Sequence, residues 1–284
     1  MANGRGYPPP PGRGPGGADN LLQQAILALN ADRPQEAERI AGLIVRTDPR
    51  NAVAQHALGA ARLMQGRAKD AIAPLEAAAR GHHDAKIETL LGIALRQAGR
   101  PEDALSCFER AAKRRPAHAP AFVELGSLLV AQRRYQEAIE AFKRGVDVAP
   151  TVPELSFHLG CALLQRRNLA EAKAAFARAL QIAPNYPDAL FEMAKVHQEA
   201  GEYEPAAACF RRYLMLRSND ADGLINLGNC LLELGEIDAG YECFRAAARG
   251  HPRRYANALA ALVKTARGRF WLKPSAAAKF FRVN

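Results

Sequence analysis

Apolar residues along this chain recur at helical spacing and are broken at regular intervals by short polar turns. Within residues 119–152, Phe122, Leu125, Gly126 and Leu129 stand at i, i+3, i+4 and i+7, the stripe of an amphipathic helix. Gln132-Arg133-Arg134 interrupts the stripe. A second follows in Ala138, Phe142 and Gly145, and Pro150 stops it because proline cannot continue a helix. The reading is helix, tight turn, helix. This pattern then repeats. A small residue recurs as Ala25, Gly59, Gly92, Gly126, Gly160, Ala194 and Gly228, at intervals of 34, 33, 34, 34, 34 and 34 residues. Three more ladders run in step: Ala37 to Gly240 through five alanines; Ala41, Leu75, Phe108, Phe142, Phe176, Phe210 and Phe244; and a closing position that is Pro in five of its seven members. Four ladders in one register make the chain a repeat array, whose function must lie on the surface that stacking creates.

One helix pair cannot bury both of its faces, so neighbouring pairs must complete its core. Gly or Ala on the first helix and Ala on the second let the two backbones approach. The large third-ladder residue is expected to fill the space left between repeats. Leu125-Gly126, Leu129, Tyr135, Ala138, Phe142 and Pro150, and likewise Met193-Ala194, Gly201, Tyr203, Ala206 and Phe210, resemble tetratricopeptide repeats. The resemblance covers roughly residues 18–252. It implies an all-α, right-handed superhelical solenoid of about seven repeats, near 18–51, 52–84, 85–118, 119–152, 153–186, 187–220 and 221–254. It also implies a concave groove lined by the first helix of each repeat. Two departures stand out. The first repeat has Ala41 and Ile44 where a large and then a small residue are expected. Tyr213 occupies a position that is otherwise small from the second repeat on, which predicts locally widened helix spacing.

The groove positions that the resemblance implies pair as Leu22 with Ile26, His56 with Ala60, Thr89 with Ile93, and Val123 with Ser127. They continue as Phe157 with Cys161, Phe191 with Lys195, and Ile225 with Asn229. This lining is largely apolar, and a contiguous exposed apolar strip usually marks a partner site. Phe157 and Phe191 are the expected anchors for a peptide or helix of a partner protein. Changing both to Ser is expected to weaken binding while leaving the melting midpoint nearly unchanged. Two functional subtypes of the family do not fit. No three consecutive repeats supply the Lys and Asn residues of the carboxylate clamp, and of the asparagine ladder of O-linked glycosyltransferase arrays only Asn226 is present.

Charge alters this picture at one end. Lys and Arg number 39 against 29 Asp and Glu, a net charge of +10. Ten of the basic residues, and no acidic one, fall between Arg245 and Asn284, so the whole excess lies in the last 40 residues. Residues 255–284 are expected to form basic capping helices, Asn257 to Arg267 and then a short one beginning near Pro274, with Phe270-Trp271-Leu272 buried against the last repeat. The alternative is a tether to an anionic membrane or nucleic acid. Residues 1–17, rich in Pro and Gly, read as a plain disordered tail, with Pro8-Pro9-Pro10-Pro11 as a ligand for a polyproline-binding domain the alternative.

Chemistry is not apparent. No phosphate-binding Gly-x-x-x-x-Gly-Lys loop occurs, no Cys-x-x-Cys or His-x-x-x-His pair sets up a metal site, and no cofactor is implied. His158 and Cys161 lie one helical turn apart without an orienting third group. Cys107, Cys209 and Cys243 share one repeat position, and their spacing reads as core rather than disulfide framework. That suits the cytoplasm. No uncharged apolar stretch approaches a membrane span. The expectation is a non-catalytic scaffold or adaptor, with a regulatory subunit of a separately encoded enzyme as a further alternative.

Overall fold

In the computed structural model, which describes residues 15–249 together with residues 257, 258 and 260, every element among the described residues is an α-helix. The chain divides into two compact units, Met1–Gln132 and Arg133–Asn284. The first holds α1 (Pro15–Asn30), α2 (Pro34–Thr47), α3 (Ala52–Met64), α4 (Ala68–Gly81), α5 (Ala85–Gln97), α6 (Pro101–Lys113) and α7 (Ala119–Ala131). The second holds α8 (Tyr135–Val148), α9 (Pro153–Gln165), α10 (Leu169–Ile182), α11 (Pro187–Glu199), α12 (Tyr203–Leu216), α13 (Ala221–Leu234) and α14 (Ile237–Ala248). Helices consecutive in the chain pack together within each unit. In the first unit α1 also touches α3, α3 touches α5, and α5 touches α7. The architecture is all-α, a tandem series of helix pairs.

The turn inside each pair has its own ladder. Asp32, Gly66, Gly99, Arg133, Arg167, Gly201 and Gly235 all take left-handed backbone, with φ between 55° and 86°. The next residue's N–H then reaches back five positions, as from Arg100 to the Leu95 carbonyl at 2.9 Å and from Glu236 to Leu231 at 2.8 Å. These bonds close the first helix and set the chain into the second. Glycine takes this conformation without a steric cost and arginine does not. Side chains open several of the helices: Asn51 accepts from the Ala54 N–H, Asn168 from Glu171 and Asp220 from Gly223.

The third ladder packs against the next repeat, as expected, with Phe210 clustered with Leu227 and Leu231 and Phe142 stacked on His158, and it also fills a hole within its own repeat. Leu75, Phe108, Phe142, Phe176, Phe210 and Phe244 are all fully buried. At Gly59, Gly92, Gly160 and Gly228 the large side chain rests on the first-helix glycine of the same repeat. A Cβ at Gly160 would lie 2.6 Å from Phe176 Cε1, and one at Gly228 would lie 2.8 Å from Phe244 Cε2. The glycine thus supplies the hole and the ring fills it, and each such burial contributes about 1.5–3 kcal/mol. In the first repeat Ile40 and Ile44 are buried beside Ala41, and their bulk fills the core at neighbouring positions. Tyr213 is buried too, with its ring over Gly223, where a Cβ would lie 2.7 Å from Cε1. The room for the tyrosine therefore comes from a glycine on the next first helix, at a register filled by alanine, isoleucine or leucine in the other repeats from the second on.

Polar clamps join successive repeats. Glu38 accepts from Arg62 Nε at 3.0 Å, Gln65 Nε2 at 2.9 Å and Arg67 Nη1 at 2.8 Å. Arg96 pairs with Glu124 at 2.8 Å, Lys143 with Glu171 at 3.1 Å, and Lys173 with Glu202 at 2.5 Å. After α14, Ala258 is fully buried in a cluster with Leu232, Tyr241, Phe244, Ala247 and Ala248. Pro8 to Pro11 and Phe270-Trp271-Leu272 lie outside the described residues.

Candidate functional site

The first helices carry the expected groove positions, and each unit presents its own set. In the first unit His56, Ile93, Val123 and Ser127 are half-buried, each with part of its side chain open to solvent. Burial holds the His56 imidazole below its usual pKa, despite Asp84 nearby, so it is neutral at pH 7. Thr89 is the exception. It is only 2 % exposed, and its hydroxyl donates to the Ala85 carbonyl at 2.6 Å, so it closes its own helix and leaves a partner nothing to bind. The neighbouring Glu88, at a register that is also buried as Gln55, Phe122, Ser156 and Leu190, pairs with Arg114 at 2.8 Å.

In the second unit Phe157, Cys161, Phe191, Lys195, Ile225 and Asn229 are all half-buried. Phe157 and Phe191 have matching surroundings. Each ring meets the ladder phenylalanine of its own repeat, Phe157 with Phe176 at 5.9 Å and Phe191 with Phe210 at 5.6 Å. Each also meets a tyrosine at 5.1 Å, Tyr186 and Tyr213 respectively. One face is therefore committed to the core and only the remainder faces out. Truncating either ring must cost stability as well as contact area, unlike the expectation that melting would stay unchanged. Lys195 sits over the Phe191 ring, with Nζ 5.8 Å from its centroid, and pairs with Glu192 at 3.0 Å.

Cys161 and Lys195 line a cleft of about 720 Å³ between α9 and α11, together with Leu164, Glu192, Val196 and Glu199. The sequence reading missed Leu164, Glu192 and Glu199. All three lie one turn from a named groove residue on the same helix, at the three- or four-residue spacing that puts side chains on one face. Tyr186 and Tyr213 carried no such signal, because they reach the strip from outside the first helices.

Burial, reinforced by Glu192, pushes the Cys161 thiol up to about 12, so it stays protonated at neutral pH, whereas an activated nucleophile needs the opposite shift. Burial also keeps the His158 imidazole neutral, stacked on Phe142 with centroids 5.7 Å apart. All five cysteines are free thiols. Among the described residues no cluster of three or more His, Cys, Asp or Glu side chains is placed to hold a metal ion, and no helix is long and apolar enough to cross a membrane.

Comparison with known proteins places this architecture. Two tetratricopeptide-repeat family models match the chain, one over residues 89–153 and 123–187 and the other over residues 163–223. No curated protein matches it in sequence. Several solved structures share its fold. A structure described as a functional characterisation of Pseudomonas aeruginosa pilF is 22 % identical with a TM-score of 0.62, over 72 % of this chain and 95 % of that one. The C-terminal part of a tetratricopeptide-repeat protein from Cytophaga hutchinsonii is 12 % identical with a TM-score of 0.67, over 84 % and 99 %. A chain of the Cut9–Hcn1 hetero-tetramer of the APC/C is 19 % identical with a TM-score of 0.62, over 77 % of this chain and 43 % of that one. At these identities the likeness is one of fold. Repeat ladders, helix pairs and family models agree that the chain contains tetratricopeptide repeats across residues 89–223.

Proposed function

We propose that this protein is a non-catalytic scaffold or adaptor that binds a peptide or helix of a partner protein along its first helices, in the cytoplasm. Tetratricopeptide repeats support protein interaction in general, and the observation that carries the finer reading is the pair Phe157 and Phe191. Two aromatic side chains at one repeat position, each rigidly backed by a phenylalanine and a tyrosine, still present part of their surface beside an open cleft. Rigid aromatics lose little entropy on contact and make good anchors. Affinity for a single peptide is expected to be micromolar, about −8 kcal/mol.

The test is affinity capture from the native cell with three proteins side by side: wild type, Phe157→Ser/Phe191→Ser, and Lys195→Ala/Asn229→Ala. The second variant spares the ring packing, so its melting midpoint should match wild type. A principal partner retained by wild type and lost from both variants is the expected result. A partner retained in full by both variants would sink the proposal.

A further inference from the structure

The second unit is electrically two-faced. Its first helices, α9, α11 and α13, carry six carboxylates (Glu154, Asp188, Glu192, Glu199, Asp222 and Glu233) against one cation, Lys195. Its second helices, α8, α10, α12 and α14, carry seven acidic and seven basic residues. The first helices of the other unit are also balanced, with three of each sign. The acidic excess therefore coincides with the aromatic strip of Phe157, Tyr186 and Phe191, which Tyr213 backs from the core. Tyr186 registers the field: burial, then Glu154 and Asp188, push its hydroxyl up to about 12.

Helix stability explains half of these acids. Glu154, Asp188 and Asp222 stand in the first turn of their helices, where the macrodipole favours negative charge. Glu199 and Glu233 do not fit that explanation. They share one register at the last turn of α11 and α13, where the dipole disfavours them, and neither has an ion-pair partner among the described residues. Arg217 stands 3.6 Å from Asp188 and Arg167 shares the cleft with Glu199, yet six carboxylates still outnumber these cations and Lys195. Such an acidic, aromatic face calls for a ligand with cations beside aromatic side chains.

The chain contains such a ligand. Residues 268–284 carry Arg269, Lys273, Lys279 and Arg282 among Phe270, Trp271, Phe280 and Phe281, with no acidic residue. Ala258, packed on the last helix pair, sets where this segment departs. Residues 257, 258 and 260 are helical, so the reach starts at Ala260, and the 10 residues from there to Phe270 span up to about 35 Å. With packed helices about 8–10 Å apart, α9 lies about 30 Å from α14. We propose that residues 268–284 occupy the α9–α11–α13 face in cis, their cations against its carboxylates and their aromatics on its strip, and that a partner must displace them. This rests on reading that face as the protein-binding surface.

Trp271 is the chain's only tryptophan, so its emission in the full-length protein reports on this segment alone. The perturbation is Glu199→Gln/Glu233→Gln, which removes charge that opposes the helix dipole and so spares the fold. In wild type at low salt the emission should be blue-shifted and shielded from acrylamide. In the variant, and in wild type at ~1 M salt, where the Debye length is about 3 Å, the spectrum should move to the red and quenching should rise several-fold. A blue-shifted spectrum indifferent to both changes would mean apolar burial elsewhere and overturn the inference, as would a red emission in wild type. Shielding that grows with protein concentration would assign the face to a second copy and also overturn the cis arrangement. Because the readout needs no partner, failure here leaves the capture experiment standing.

Discussion

Gly42 and Gly160 both lie inside helices, and the same substitution should shift stability in opposite directions at the two sites. Alanine is favoured over glycine in a helix interior by about 0.8–1.0 kcal/mol. At Gly42 in α2 a Cβ would meet nothing within 4 Å, so Gly42→Ala should raise stability by close to that full amount. At Gly160 in α9 a Cβ would lie 2.6 Å from Cε1 and 2.8 Å from Cδ1 and Cζ of Phe176, a ring with no exposed surface. Carbon atoms rest about 3.5–4.0 Å apart, so the ring or the helix must give by roughly 0.9 Å. Overpacking of this kind typically costs ~1–3 kcal/mol. Ala194 stands at the same register opposite Phe210, so one methyl can be accommodated there, which puts the net effect of Gly160→Ala near ~1 kcal/mol of destabilisation once the propensity gain is subtracted. Gly160→Leu should cost at least ~3 kcal/mol and, in an array held by nearest-neighbour coupling, split unfolding into steps. The assay is urea and thermal unfolding followed by far-ultraviolet circular dichroism, where each kcal/mol moves the midpoint by ~2–4 °C in a protein of this size. If Gly160→Ala raised the midpoint as Gly42→Ala does, or if Gly160→Leu melted like wild type, the seating of Phe176 on that glycine would be refuted.

Further measurements test other parts of the structure. Burial works to raise the Glu38 carboxyl, but the bonds from Gln65 and Arg62 and the charge of Arg67 outweigh it and hold it below the usual carboxylate range. A depressed native pKa gives stability that is present above the unfolded value, ~4.3, and is lost as pH falls through the native one. Acid unfolding should therefore be shallower in Glu38→Gln than in wild type below about pH 4, and identical acid profiles would refute the clamp. Arg133 holds φ 60° without the freedom of glycine, so Arg133→Gly should stabilise by up to ~1 kcal/mol in urea unfolding, and a loss of stability would count against the turn ladder. With its thiol at about 12, Cys161 should react with iodoacetamide at pH 8 far more slowly than free cysteine, and labelling at the free-thiol rate would contradict its burial.

The repeat was legible in the sequence because a helix pair imposes its spacing locally. Apolar period, turn position and the small residues at Gly59, Gly92, Gly160 and Gly228 follow from how two helices must meet, whatever the rest of the chain does. The left-handed turn ladder was half legible, through Gly66, Gly99, Gly201 and Gly235, and hidden where Asp32, Arg133 and Arg167 hold the same conformation. Whether a groove position is open was decided only by tertiary packing. Thr89 and Phe157 share one register, yet the short Thr89 side chain turns its hydroxyl back onto the Ala85 carbonyl and is buried, while the Phe157 ring stays half-open, and periodicity has no resolution at that scale. Pairings between separate helices were equally invisible. Tyr213 predicts a widened spacing until Gly223, 10 residues on, is seen beneath its ring. The same holds for the face of α9, α11 and α13, whose acidic character appears only once its helices are set apart from the balanced ones behind them. Charge counted along the chain averages over both faces, and stacking the helices is what separates them.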